Sequence, residues 1–419
     1  MKLNFKEQFN VSHKIVRGKI NQKKLSVSIP YKQRLENIAV VLEALAHQTM
    51  HKDDFEVIIG AMDYCENLIS LCNKYINKIN IITVLSPDNF MIPWARNLAM
   101  RQATGQVIVQ MDADTLLPPN ALQNLYDTHF AFEQRICVVG QVIGYENNNE
   151  GFIESVQVKP YENYQDAIMD LENSTGKPKD PRFQVRHVIP WAFGWTGFIA
   201  LPLEVVRELD LYFDETFQGW GVDDLEWSYR ICKNKIPIIL SEKVRAIHLP
   251  HARDPEENRK TETLNYRRFL MKWPSPDVEL AHCFGDVEAN SLYLDFMEDR
   301  RKVMSYLKGH LGIARGFVNG KDTLIVGLEL NEANEILDSQ RTKQFDTHAA
   351  IEIYPLIGMA LPFSDKEIEE CKVLNSIPKF SDKYASAVYK EVDRVSKNVV
   401  LIYNLNPEFN LRNTAGIST

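Results

Sequence analysis

The chain has 419 residues, longer than most single hydrophobic cores, so a large domain with a smaller companion is expected. Hydrophobic residues make up 45% and charged residues 25%, and the net charge of −8 argues against a nucleic-acid partner, which needs a basic footprint. No apolar run reaches the ~18 to 20 residues of a membrane span, Met1 to Lys6 lack a signal-peptide core, and the six cysteines form no Cys-x-x-Cys pair, so a reduced, cytoplasmic protein is expected.

Residues 1–24 are polar and basic and read as a lead-in. Leu25-Ser-Val-Ser-Ile-Pro30 is the first strand, closed by a proline that cannot continue a ladder. Leu35, Ile38, Ala39, Leu42 and Leu45 mark one face of a helix running to Gln48. Phe55 to Gly60 is a second strand, Leu68 to Tyr75 a second helix, and Ile79 to Leu85 a third strand. A helix over Trp94 to Gln102 then leads to a fourth strand, Gln106 to Met111. This alternation predicts an α/β fold with a mostly parallel sheet covered by helices on both faces. Ligands in such sheets bind beyond the carboxyl ends of the strands. A further strand is read over Ile236 to Leu240. Past residue 255 the chain reads as charged helix, including Asn265 to Trp273 and Tyr293 to Leu311, before strands at Thr323 to Leu330 and Asn398 to Tyr403. The division is set as 25–279 for the sheet domain and 280–419 for a helical and α/β accessory part.

Four constellations carry chemistry. Asp112-Ala-Asp114 directly follows the fourth strand, and two carboxylates so spaced can hold one hard cation; the alternative is a solvated turn. Arg96, near a helix start in Ala95-Arg-Asn97, can donate paired hydrogen bonds to phosphate, or can pair with a carboxylate. In Gly219-Trp-Gly-Val-Asp-Asp224 the glycines can bring Trp220 against a ligand, while Asp223 and Asp224 open a helix, as caps or as a general base. His248 and His251, three apart in a turn with a proline between them, can complete a first shell with the aspartates, and this carboxylate and imidazole set favours Mn²⁺ over Mg²⁺. Trp191, Phe193 and Trp195 read equally as core or as a pocket wall, and His187, His282, His310 and His348 stand without an identifiable partner.

With Ala103-Thr-Gly105 standing between these motifs, the chain resembles glycosyltransferases of the GT-A fold, close to family 2, over roughly residues 25 to 270. Its second half resembles the galactosyltransferase-type segment usually written Gly-Trp-Gly-Gly-Glu-Asp, here with Val222 and Asp223 in place of Gly and Glu. The resemblance implies Asp114, His248 and His251 as metal ligands, with Asp112 supporting metal or nucleotide. It implies Asp224 as the base, Asp223 on acceptor hydroxyls, and Trp220 and Gly221 lining the site with Trp195, Arg96 and Pro30. The family's acidic pair after the second strand is absent; Asp63 of Gly60-Ala-Met-Asp63 is the substitute. The implied reaction is inverting transfer from a UDP-sugar to a hydroxyl of a glycan, peptide or small molecule. A nucleotide-sugar-binding module without catalysis and a nucleotide-sugar hydrolase are the other readings. The C-terminal part is left to bind the acceptor or to pair with a second copy in a homo-oligomer.

Overall fold

The computed structural model describes residues 11–18, 22–144, 156–173, 180–347 and 350–402, so His348, Tyr403 and most of the lead-in lie outside the described residues. The chain folds as two compact units, residues 1–186 with 190–265, and residues 187–189 with 266–419.

In the first unit the elements run β1 (His13–Arg17), β2 (Leu25–Tyr31), α1 (Leu35–Ala46), β3 (Phe55–Ala61), α2 (Glu66–Asn73), β4 (Asn80–Leu85) and α3 (Ile92–Met100). There follow β5 (Val107–Met111), β6 (Thr115–Leu116), α4 (Ala121–His129), β7 (Cys137–Ile143), α5 (Gln165–Asn173), β8 (Phe198–Pro202) and α6 (Leu203–Glu208). Last come α7 (Asp223–Lys233), β9 (Ile238–His248) and α8 (Pro255–Lys272), and the division between units falls inside α8.

Nine strands form one sheet in the order β1-β4-β3-β2-β5-β8-β7-β9-β6. The central β4-β3-β2-β5 block is parallel, as the uninterrupted apolar runs require of strands buried on both faces. Val57 and Ile59 join the core on one face with α1 and α2, while Ile58 joins the other with α3 and α6. Antiparallel strands extend the block: β1 on β4, and β8 on β5. Part of the segment read as a lead-in is thus an edge strand. Ala103-Thr-Gly105 has a structural task here. Thr104 donates to buried Glu56 through N and Oγ1 (2.8 and 2.9 Å), and Ser26 Oγ, which accepts from Gly105 N at 2.8 Å, donates to the same carboxylate at 2.6 Å. This fixes the entry into β5.

The second unit holds α9 (Pro276–Phe284), α10 (Asp286–Met304), β10 (His310–Val318), β11 (Lys321–Leu330), α11 (Ser339–Thr342), β12 (Glu352–Tyr354), β13 (Ile368–Leu374), α12 (Asp382–Val395) and β14 (Ser396–Ile402). Its five-stranded sheet runs β12-β10-β11-β13-β14. The helix expected over Tyr293 to Leu311 stops at Met304, and Leu311 belongs to a strand paired with Glu329. Leu307 and Leu311 fit a helical period, but the hairpin turn Asn319-Gly320, both at positive φ (51° and 74°), decides the pairing.

Candidate active site

The site begins where β5 ends. The chain turns through Asp112–Asp114, and the two-residue β6 pairs Thr115 with His248 at the end of β9. Leu249 N–H donates to Asp114 O at 2.8 Å, and Asn37 of α1 donates to Pro250 O at 3.1 Å, which fixes the run to His251. Ligand atoms of Asp114, His248 and His251 therefore lie within 4.8 Å of one another. Each imidazole Nε2 stands 3.7 Å from an Asp114 oxygen. His248 is the last residue of a strand rather than part of a turn. The sequence reading stopped that strand at Leu240 because Ser241 to Val244 break the pattern, and there the β7–β9 register slips.

This donor set fits a divalent cation. Asp114 Oδ1 is buried with no hydrogen-bond partner among the described residues, an exception that calls for an occupant. His251 Nδ1 lies 2.7 Å from Ala252 O; the tautomer that donates there leaves the Nε2 lone pair for a metal. Arg34, just before α1, donates to Asp114 Oδ2, a partner the sequence reading missed. Its signal was a basic residue past the carboxyl end of the first strand, where ligands sit. Burial works to raise the Asp114 carboxyl, but Arg34, His248 and His251 outweigh it and hold it below the usual range. Burial and Arg34 lower the His251 imidazole, which favours the neutral form that ligates. Asp112 lies outside this cluster, partly exposed.

Asp112 instead accepts from Arg96 Nη2 at 3.1 Å. The same guanidinium bonds Thr196 Oγ1 at 2.5 Å and, through Nη1, Asp223. Arg96 is buried, and although burial lowers its pKa, Asp223, Asp112 and Asp224 raise it further, so it stays charged. Arg96, expected to donate to phosphate or to pair with a carboxylate, has both Nη atoms on protein partners here and forms a bridge. The bridge links the turn after β5 to the start of α7.

Asp223 and Asp224 open α7 as expected, and neither side chain caps it from outside. Asp224 is partly exposed, and accepts from Thr196 N at 3.3 Å and Leu225 N at 2.9 Å. Burial, then the neighbouring Asp223 charge, push the Asp224 carboxyl up to about 7. Trp220 is 48% exposed on the loop before α7, flanked by Gly219 and Gly221 at φ 70° and 92°. Trp191 and Phe193 are core, Trp191 edge-on to Tyr229 at 5.6 Å, whereas Trp195 is partly exposed with Arg182 over its ring at 4.6 Å. Pro30 is buried within β2, and Asp63 is exposed just past β3. Of the leftover histidines, His282 stacks on Tyr266 with its pKa lowered to about 3 by burial, and His310 contacts Asn334 at 2.9 Å.

Residues 26–186 match the model of glycosyl transferase family 2. Over 415 residues the chain is 26% identical to Validoxylamine A glucosyltransferase of Streptomyces hygroscopicus subsp. jinggangensis, covering 90% of this chain and 96% of that one. The chain is a glycosyltransferase. It is also 23% identical over 222 residues to Chondroitin synthase of Escherichia coli, over 49% of this chain and 32% of that protein's length. The crystal structure of S. aureus TarS overlaps it with a TM-score of 0.43 at 18% identity, over 67% of this chain and 47% of that one. No helix among the described residues is long and apolar enough to cross a membrane.

Proposed function

We propose that this glycosyltransferase is metal-dependent and inverting, and moves a sugar from a UDP-sugar to an acceptor hydroxyl. The observation that carries the reading is the Arg96 bridge, which ties the aspartate turn after β5 to the carboxylates that open α7. A donor-side cluster and an acceptor-side base thereby belong to one site. A divalent cation on Asp114, His248 and His251, Mn²⁺ before Mg²⁺, supplies Lewis-acid stabilisation of the charge on the leaving diphosphate. Asp224 takes the proton of the acceptor hydroxyl as its oxygen attacks the anomeric carbon from the face opposite the leaving group. A carboxyl held at about 7 is matched to that task near neutral pH. Trp220 offers an exposed aromatic face and an indole N–H to the acceptor sugar or ring.

Glucosyl transfer is the first donor specificity to test, because the relative of near-equal length is named for it. By the same token a small acceptor of the validoxylamine type ranks before a glycan or peptide. The six cysteines are free thiols, in keeping with the cytoplasmic location we propose. The deciding experiment follows UDP release from UDP-glucose, with and without acceptor, before and after EDTA. Acceptor-dependent release that EDTA stops and Mn²⁺ restores is the expected result. Release indifferent to acceptor points to a hydrolase, and binding without release to a sugar-nucleotide-binding module.

A further inference from the structure

Val222 stands immediately before α7 at φ 73°, a left-handed conformation that is an outlier for a β-branched residue, and it is only 2% exposed. Its carbonyl accepts from Glu226 N at 2.9 Å, so the strained residue sets where the helix starts and where Asp223 and Asp224 stand. Gly219 and Gly221 are also left-handed. The glycines adopt that conformation freely, but a left-handed valine persists only when its surroundings over-determine it.

The surroundings are two side chains of α8. Asn265, 1% exposed, donates from Nδ2 to Gln218 O at 2.8 Å and Gly221 O at 2.9 Å, and accepts from Gln218 N at 3.3 Å. One amide thus holds both ends of Gly219-Trp-Gly221. Thr261 Oγ1 accepts from Trp220 N at 3.1 Å and packs so tightly on Gly219 that a Cβ there would fall 2.5 Å from its methyl group. The loop's backbone polar groups are spent on α8, while the indole of Trp220 is left exposed.

We infer that Asn265, assisted by Thr261, is a positioning residue that holds the strained Gln218–Val222 loop and so fixes Trp220 and Asp224 for acceptor use. The inference rests on the proposed acceptor role of that loop. Neither residue touches reacting atoms. Their effect is on geometry, and small misplacements of a substrate-contacting group are costly in rate. A strained Val222 makes the dependence strong: without Asn265 the loop relaxes to a φ that valine prefers, and Trp220 moves with it. Glycine at position 222 has no such preference and weakens the need for the clamp.

The test uses the full chain labelled with 5-fluorotryptophan, the Trp220 ¹⁹F line being assigned by its loss in Trp220→Phe. Asn265→Ala is expected to shift or broaden that line alone. It should raise the acceptor KM or lower kcat/KM about tenfold, with donor binding unchanged. In a Val222→Gly background the same substitution should cost about threefold or less, the non-additivity of coupled neighbours. Thr261→Val, at a partly exposed position, gives a milder version of both effects should Asn265→Ala fail to fold. An unmoved Trp220 line with an unmoved acceptor KM overturns the clamp, as does a full loss that Val222→Gly leaves untouched. A chain that transfers to no acceptor sinks the proposed function instead, and the fluorine spectrum still decides the clamp.

Discussion

Arg34 donates to the carboxylate of Asp114, so its guanidinium and a divalent cation would draw on the same negative charge. Arg34 is 39% exposed and Asp114 only 1%, so the arginine can swing to solvent while the aspartate cannot. Arg34→Ala removes the competitor and is expected to tighten Mn²⁺ binding about tenfold by calorimetry. The same substitution leaves a buried carboxylate uncompensated, which costs the metal-free chain about 1 to 3 kcal/mol in urea unfolding, a cost that Mn²⁺ reverses. Unchanged Mn²⁺ affinity defeats the idea of competition.

The base assignment has a pH signature. Asp224 acts only when ionised, and burial with the Asp223 charge lifts its pKa to about 7, so kcat/KM should rise as pH passes through neutrality and then level off. Asp224→Asn should lower kcat by about 10² to 10⁴-fold with UDP binding intact. Stability moves the opposite way. A carboxyl raised from 3.8 to about 7 holds its proton more tightly in the folded chain, so its contribution is lost as pH rises across that window. Asp224→Asn therefore flattens this part of the stability profile, and retained turnover in that variant ends the assignment.

The Arg96 bridge predicts damage of a different kind. Arg96→Ala leaves the buried carboxylate of Asp223 without its partner and close to the Asp112 charge, a loss of about 3 to 5 kcal/mol in denaturant unfolding. Arg96→Lys keeps the charge, but a single ammonium cannot reproduce a fork that reaches two carboxylates and Thr196. It should recover part of the stability and little of kcat. Full activity in the lysine variant shows that charge alone suffices.

Much of the first unit was legible because parallel strands buried on both faces announce themselves as apolar runs, and the motifs sit at their carboxyl ends. Asp112, Asp114 and the two acids opening α7 could be placed from local signals alone. The partners of those residues could not. That Arg96 faces Asp223, 127 residues later, depends on how β8 inserts antiparallel beside β5, and no local period encodes it. His248 was assigned to a turn because a bulge in β9 hides the strand's true end. Val222 read as a bare departure from a familiar motif until its φ showed that the position demands left-handed backbone.

In the second unit the carboxylate of Glu279 is buried and accepts N–H bonds from Ile357 at 2.9 Å, Gly358 at 2.6 Å and Met359 at 2.8 Å. One side chain of α9 thus satisfies three consecutive backbone donors of the buried segment before β13. Burial raises its pKa to about 7 against the opposing pull of those N–H groups. The folded chain then holds the Glu279 proton more tightly than the unfolded one, and stability falls as pH rises from 4.5 to about 7. Glu279→Gln has one oxygen where the carboxylate has two, and its amide N–H₂ turns a donor toward donors. At pH 5, where both side chains are neutral, it should destabilise the second unit by about 1 to 3 kcal/mol in urea and speed hydrogen exchange at 357–359. At pH 8, where the native carboxyl has ionised at a cost to the fold and the amide cannot, the two chains should differ by less. An equal difference at both pH values shows that the residue holds the segment by shape and not by charge.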